Sequence, residues 1–371
     1  MDNFKDALKL LKIDGALIDQ LKSTQHGDIE KSPNHLEGDV FTHTEMVFKA
    51  GQRISDRRTL VASTILHDIG KPECRGYENK NNPSQVTFYG HGFYSTIKSI
   101  PYLKKYLGFL PYQKSINTDS IQDFLTILYA INYHMILMTN KNIQNFSQFD
   151  NYFGFGNWVY QYMYSLYKAD NLGRITHYVD QQTRFPNWML NEPKNSFGYF
   201  GDISIDNSQQ FTISNGKYNE NKSDAIFAIG VPGSGKTTWI NNHYSHLGNI
   251  SRDTILSEMY PSESYSKSWN MANHSLVDKE YSNRFSKLVE NKKSFVIDKT
   301  NVQRNGREKT IKTLNDEFNN TALVFLTPID EINTRNNARE DKNLVRIADG
   351  MMKKFMLPTF GEGFSKITFI L

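Results

Sequence analysis

The sequence predicts two domains, an all-α domain followed by an α/β domain built on a parallel sheet around a phosphate-binding loop. Three observations lead there. Residues 1–190 carry aromatic and aliphatic recurrences of helical length. Residues 191–222 are rich in Asn, Ser, Gly, Asp and Lys with only short apolar patches, which is linker chemistry. From residue 223 to 371, short apolar runs alternate with helical stretches, and the first run leads into a glycine loop. Strands alternating with helices imply a parallel sheet covered on both faces.

The bulk properties agree with that division. A chain of 371 residues suggests two domains at about 100–200 residues each, and allows three. With 38% hydrophobic and 13% aromatic residues there is enough apolar mass for packed cores. The single cysteine, Cys74, excludes a disulfide framework or a multi-Cys zinc module and fits a reducing cytosol. The start of the chain is amphipathic with acidic residues and lacks a signal-peptide core, and no apolar run approaches the roughly 18 residues of a membrane helix. An intracellular protein with no membrane partner is expected. A net charge of +4 announces no nucleic-acid surface. All of that excess lies from Lys222 onward, with 21 Lys and Arg against 17 Asp and Glu.

In the first domain, FLTILYAINYHMILM (residues 124–138) and NWVYQYMYSLYKADNLGR (residues 157–174) read as helices. STILHDIGKP reads as a helix end, terminated by Gly70 and Pro72. GYENKNNPSQ (residues 76–85) reads as a loop. In the second domain, AIFAIG, SFVID (residues 294–298) and TALVFL (residues 321–326) read as strands.

The glycine loop is Gly230-Val231-Pro232-Gly233-Ser234-Gly235-Lys236-Thr237, followed by Thr238, and it fits GxxxxGK[ST] at every fixed position. Glycines let backbone N–H groups close around phosphate oxygens at the positive end of the next helix. Lys236 would neutralise the outer phosphates of ATP or another nucleoside triphosphate, and the Thr237 hydroxyl would face Mg²⁺. Asp298 ends a strand, either as a carboxylate toward Mg²⁺ or as an ordinary turn residue. Arg252-Asp253 falls where a second strand should end. Asp253 is either a proton acceptor beside the γ-phosphate or the N-cap of the helix TILSEM. Arg335 and Arg339, at i and i+4, would share one helix face, as a solvated polar face or as a clamp on the phosphates.

The first domain holds a second constellation. His67-Asp68 closes the apolar helix, and His43, His91, His134 and Asp170 all sit in apolar or aromatic surroundings. A buried imidazole needs a partner. Each of these is a satisfied core residue or a ligand, and imidazole with carboxylate suits Mn, Fe, Co, Ni or Zn. Lys71 would hold a substrate phosphate or simply complement a helix C-terminus.

On these residues the chain resembles known families. GVPGSGKTTW, SRDT, VIDKTN and TRNNAR, in that order, are similar to the P-loop polynucleotide 5′-hydroxyl kinases of RNA repair. The resemblance implies ATP and Mg²⁺ on Lys236 and Thr237, and Asp253 as general base toward a 5′-OH. It implies Arg335 and Arg339 as arginines of a helical lid, and Arg252 along the nucleic-acid groove. Relatives often carry an Arg where this chain has Leu256, and Lys299 is inserted between Asp298 and Thr300-Asn301. The order H…HD…H…H…D, with HLEGDVFTHT and LHDIGKP, resembles the HD-domain metal phosphohydrolases. That implies one divalent metal on His43, His67, Asp68 and Asp170, and a second where His91 and His134 contribute. Together the two resemble the HD-Pnk family.

The implied function is bifunctional end healing. ATP γ-phosphate goes to 5′-OH ends of RNA or DNA, and 2′, 3′ or 2′,3′-cyclic phosphates are removed, so that a ligase can act. The implied location is the cytoplasm of a bacterial or phage-infected cell. A metabolic HD nucleotidase fused to a nucleoside kinase is the alternative from another class, and an ATP-switched module with a structural His cluster is a third.

Overall fold

The structure, a computed structural model, describes residues 3–27, 35–76, 86–108, 118–177, 200–207, 209–262, 264–339, 341 and 343–371. The chain divides into two units, Met1–Phe200 and Gly201–Leu371.

The first unit is helical throughout its described residues. Helices α1 (Phe4–Leu10), α2 (Gly15–Ser23) and α3 (Val40–Ile54) begin at Asn3, Asp14 and Asp39. Each of those side chains accepts from the N–H three residues on, which satisfies an orphan donor of the first turn. In α4 (Arg58–Leu66) every residue after the first is buried, and the helix is packed by α3, α7 (Thr118–Tyr133) and α10 (Asn157–Leu172). A helix apolar on all sides belongs at the centre of a bundle. The His67-Asp68 pair, immediately after α4, is thereby delivered to the interior.

The unit is completed by α5 (Lys71–Cys74), α6 (His91–Tyr106), α8 (Ile136–Thr139) and α9 (Phe146–Phe153). Gly70 lies between α4 and α5 with no room for a side chain, since a Cβ there would come 2.6 Å from the Ser95 nitrogen of α6. Two expectations change. The stretch 124–138 is not one helix but breaks at His134 between α7 and α8. The His134 ring bonds back to the Ile131 carbonyl there and turns inward. Pro72 opens α5 rather than merely ending α4, as Pro at a first turn is free to do. The loop expected at residues 76–85 lies outside the described residues except for Gly76, which bridges to Thr87.

The second unit is a seven-stranded sheet in the order β1-β2-β7-β6-β3-β5-β4. Strands β3 (Ser223–Ile229), β4 (Gly248–Ser251), β5 (Phe295–Asp298), β6 (Phe318–Phe325) and β7 (Lys366–Ile370) run parallel. Strands β1 (Asp202–Asn207) and β2 (Gln210–Ser214) add to the β7 edge antiparallel. The sheet is thus mixed, not wholly parallel, and Asp202–Asn207 and Gln210–Ser214 are strands where a linker was expected. Residues 191–199 of that linker lie outside the described residues. The hairpin alternates Ile203 and Ile205, then Phe211 and Ile213, among polar residues, and Phe211 stacks on Phe369 of β7 at 5.2 Å.

Helices α11 (Lys236–His243), α12 (Arg252–Met259), α13 (Tyr265–Met271), α14 (His274–Glu290), α15 (Arg304–Leu314), α16 (Ile329–Asn337) and α17 (Leu344–Met352) complete this unit. Among the described residues no helix is long and apolar enough to cross a membrane.

One buried ion pair ties the chain end to the strand–helix loop. Arg307 of α15 is fully buried and holds Glu362 through Nε and Nη2, at 2.7 and 2.8 Å. It also donates to the carbonyls of Asn301 (2.9 Å) and Met356 (3.0 Å). Arg307→Met strands a buried carboxylate and is expected to destabilise this unit by about 3–5 kcal/mol. Thermal unfolding measures it, and a wild-type melting temperature would refute the assignment.

Candidate active sites

The loop between β3 and α11 is shaped by four donors on its outer side. Four successive carbonyls each accept a side-chain hydrogen bond. Val231 takes Lys236 Nζ at 3.1 Å, and Pro232 takes Asn336 Nδ2 at 3.0 Å. Gly233 takes Arg335 Nη1 at 3.2 Å, and Ser234 takes Thr327 Oγ1 at 2.9 Å. The peptides are trans, so the N–H groups of Gly233 and Gly235, opposite two of these carbonyls, face the other way. They join the first-turn N–H groups of α11, which have no helical partner, in an anion cradle. Gly233 and Gly235 have φ of 86° and 89°, where a side chain is strained.

Lys236 is buried, and burial lowers its pKa from 10.5 to about 8 against the pull of Asp298 and Asp253, while Arg339 pushes it further down. These four side chains therefore share one field. Thr237 Oγ1 donates to Asp298 Oδ2 at 3.0 Å, and burial pushes the Asp298 carboxyl up despite Lys236 and Thr237. An exposed threonine hydroxyl beside this carboxylate is an oxygen pair that suits Mg²⁺. Thr238 is exposed on the same first turn.

Asp253 is not the N-cap of α12. Ser251 is, and it accepts from Thr254, so Asp253 occupies the exposed first turn at the end of β4. Its Oδ1 accepts the Tyr265 hydroxyl at 2.9 Å. Arg252 donates to Asp278 at 2.8 Å, and Leu256 is fully buried, so that position offers nothing to a ligand. Arg335 and Arg339 do not share a helix face. Arg335 lies in the last turn of α16, which ends at Asn337, and Arg339 follows it. Asn301, at φ 46°, bonds the carbonyls of Ala228 and Ile297 and so joins β3 to β5.

In the first unit one device recurs. His67, His91 and His134 each give Nδ1–H to the carbonyl three residues back, at 2.9, 2.7 and 2.7 Å. His43 Nδ1 lies 2.7 Å from Glu37 Oε1. A carbonyl only accepts, so the Nδ1 atoms of His67, His91 and His134 are protonated and each Nε2 of these rings, when neutral, presents a lone pair. The Nε2 atoms of all four rings converge on carboxylates and on each other. His43 Nε2 is 3.4 Å from Asp68 Oδ2 and 3.1 Å from Asp170 Oδ1. His67 Nε2 is 3.2 Å from Asp68 Oδ2. His91 Nε2 is 3.2 Å from Asp68 Oδ1 and 3.0 Å from His134 Nε2.

Acceptor facing acceptor, buried, demands a cation. The spacings match the edges of a coordination shell with ligands about 2.1 Å from a shared centre. The donors fit a divalent transition metal in two groups, His43–His67–Asp170 and Asp68–His91–His134. Asp68 turns one oxygen toward each. Burial raises the Asp68 and Asp170 carboxyls, but the imidazoles, with Lys71 at Asp68, hold both well below the carboxylate range. Burial and Lys71 press on the His43 imidazolium, yet Asp170 and Glu37 lift it to about 9. Lys71 is buried at the start of α5, not at a helix C-terminus, and its ammonium is 2.7 Å from Asp68 Oδ2.

Sequence reasoning missed Glu37, Asn336, Thr327 and Tyr265. No spacing rule marks them, because each acts by hydrogen-bonding a residue already singled out. It also missed His26 and His35, which with Glu37 form a third group. There Lys71 Nζ lies 3.2 Å from His26 Nε2, and Glu37 Oε1 serves both His35 and His43. This group supports the first two.

A family model described as an AAA domain matches residues 226–354, which places a P-loop domain of kinase type in the second unit and implies a nucleoside triphosphate with Mg²⁺. A comparison with the curated proteins found no match.

Two measurements follow from this geometry. A bound triphosphate restores the Lys236 proton that burial disfavours, so above about pH 8 ATP binding takes up a proton and apparent affinity falls as pH rises. Calorimetry at about pH 8.5 should give binding enthalpies that depend on the buffer's ionisation heat, and identical enthalpies would refute the shift. At the other site, Asp68→Ala should lose bound transition metal by elemental analysis. Glu37→Gln should weaken metal binding roughly 10–100-fold. Unchanged metal content in Asp68→Ala would remove the cluster from metal chemistry.

Proposed function

We propose that the chain is a bifunctional nucleic-acid end-healing enzyme, a polynucleotide 5′-hydroxyl kinase in its second unit and an HD-type phosphohydrolase in its first. The observation that carries the kinase half is the geometry at the loop, where buried Lys236 follows the glycines, Thr237 Oγ1 lies 3.0 Å from Asp298 Oδ2 and Arg335 Nη1 lies 3.2 Å from the Gly233 carbonyl. The likeness of SRDT, VIDKTN and TRNNAR to the polynucleotide kinases supports the choice of acceptor.

In the kinase step Asp253 takes the proton of the acceptor 5′-OH as O5′ forms a bond to the γ-phosphorus. The bond from that phosphorus to the β–γ bridging oxygen breaks, and ADP leaves. Lys236 and the cradle N–H groups gather the phosphate oxygens, with Arg335 and Arg339 closing over them. Thr237 and Asp298 would hold Mg²⁺, which would offset the phosphate charge.

In the first unit a terminal 2′ or 3′ phosphate, or a 2′,3′-cyclic one, is hydrolysed. Water oxygen bonds to phosphorus, the bond to the sugar oxygen breaks, and that oxygen retains a proton from the water. Lys71, paired with Asp68, is placed to hold a phosphate oxygen. His43, His67, Asp68 and Asp170 would hold one divalent metal and His91 and His134 would contribute to a second, and these would supply water of lowered pKa and charge neutralisation. The two activities belong together, because several ribonucleases leave a 5′-OH and a 3′- or cyclic phosphate that a ligase cannot join.

The deciding assay is transfer of labelled γ-phosphate to a short 5′-OH RNA beside free nucleosides, together with phosphate release from a 3′-phosphorylated RNA. Wild-type protein should label the RNA and release phosphate. Lys236→Ala should lose only the labelling, and Asp68→Ala only the release. Asp253→Ala should cut transfer roughly 10²–10⁴-fold with ATP affinity intact. Labelling of nucleosides instead of RNA would replace this reading with a metabolic kinase, and loss of both activities in either variant would sink the two-site division.

A further inference from the structure

Ten large apolar side chains are exposed among the described residues, and four of them lie between residues 265 and 276. They are Tyr265, Trp269, Met271 and Leu276, on α13 and the first turn of α14. Such a concentration on a short stretch is a surface built to be covered. Two of the four are aromatic at i and i+4, with ring centroids 6.0 Å apart, and they meet the two consecutive residues that open α12. The Tyr265 hydroxyl sits on Asp253, and the Arg252 guanidinium lies 5.0 Å from the Trp269 ring centroid.

Cations and carboxylates both lie beside these rings, Arg252 among the first and Asp253 and Asp278 among the second. Arg252 Nη1 is buried and has no hydrogen-bond partner, while its other nitrogens reach Asp278 and His274. Lys299, inserted after Asp298, has its charge disfavoured by burial and by the neighbouring Arg252 guanidinium. Of the nearby carboxylates, Asp278 is held by Arg252, Glu258 by Arg284, Asp253 by the Tyr265 hydroxyl and Asp341 by Ser266. An exposed aromatic pair flanked by cations with an unspent donor is the composition that grips a single nucleic-acid strand, bases on the rings and phosphates on the cations.

We propose that Trp269 and Tyr265 form a stacking platform for the terminal base of a single-stranded 5′-OH acceptor, and that Arg252 Nη1 takes the first backbone phosphate. The proposal rests on the kinase reading above and narrows it, since it makes the acceptor a base-bearing strand end and not any alcohol. It also gives a reason for the Tyr265–Asp253 bond. That hydroxyl holds the oxygen of Asp253 to which an acceptor hydroxyl would donate, on the same residue that carries one ring of the platform. Leu256 is fully buried and apolar, whereas the neighbouring Arg252 has a donor, Nη1, without a hydrogen-bond partner.

The test uses the full chain and two oligonucleotide acceptors that differ only in their 5′-terminal residue, one with a base and one abasic. With the normal acceptor, Trp269→Ala should raise KM roughly tenfold with little change in kcat, and Trp269→Phe should recover most of that loss. With the abasic acceptor, wild type and Trp269→Ala should have the same, already elevated KM. Unchanged ATP binding by each variant shows that the loop still folds. An equal penalty on both acceptors, or no penalty on either, overturns the platform while leaving the kinase reading in place. No transfer to any oligonucleotide by wild-type protein overturns both.

Discussion

In both units the polar atoms of the candidate sites are aimed by hydrogen bonds made behind them. An imidazole whose Nδ1–H is anchored to an oxygen has only Nε2 left to offer, and its direction is then fixed by the backbone. His67, His91 and His134 use a carbonyl three residues back, and His43 uses the Glu37 carboxylate. The loop of the second unit applies the same constraint to peptide groups. Its carbonyls are pinned from outside by Lys236, Asn336, Arg335 and Thr327, which leaves N–H groups for an anion. Preorganisation of this kind removes the cost of ordering each donor when the ligand arrives.

The charge balance of the first cluster follows from the same arrangement. Asp68, Asp170 and Glu37 bring three negative charges into the interior, and Lys71 brings one positive charge. With neutral imidazoles the buried set is short of two positive charges. A proton on His43 is a partial remedy, and the rise of that pKa to about 9 is its expression. A divalent cation removes the deficit. Burying the carboxylates without it would carry an uncompensated desolvation cost.

The legibility of these features in the sequence tracks the distance between interacting residues. GxxxxGKT is readable because its glycines, lysine and threonine are contiguous and each has a fixed role. HD is readable for the same reason, and the three histidine anchors are local as well. The supports are not local. Asn336 reaches Pro232 across 104 positions, Thr327 reaches Ser234 across 93, and Arg307 reaches Glu362 across 55. The β1–β2 hairpin was hidden by its polar alternate residues, since only pairing with β7, at the far end of the unit, buries Phe211 and Ile213. Arg339 was placed on a helix because i, i+4 spacing is all a sequence offers, and the helix ends two residues before it.

The second unit's reactive groups are occupied by their own neighbours. Lys236 rests on the Val231 carbonyl, Asp253 on the Tyr265 hydroxyl, and Arg335 on Glu331 as well as on the loop. For buried Lys236 the contact spares a charged group from lying unpaired. Each contact also resembles the one the group would make in transfer: cation to oxygen, carboxylate to hydroxyl, guanidinium to anion. A ligand therefore exchanges one hydrogen bond for a similar one, and the gain that decides binding must come from what the placeholders lack. For the loop that is the triphosphate's charge, met by several N–H groups at once. On the acceptor side the placeholder is a tyrosine hydroxyl, a weak stand-in for any alcohol. The surplus has to come from parts of the acceptor beyond its hydroxyl, so selectivity for the acceptor is a property of the surface around Asp253 more than of Asp253 itself.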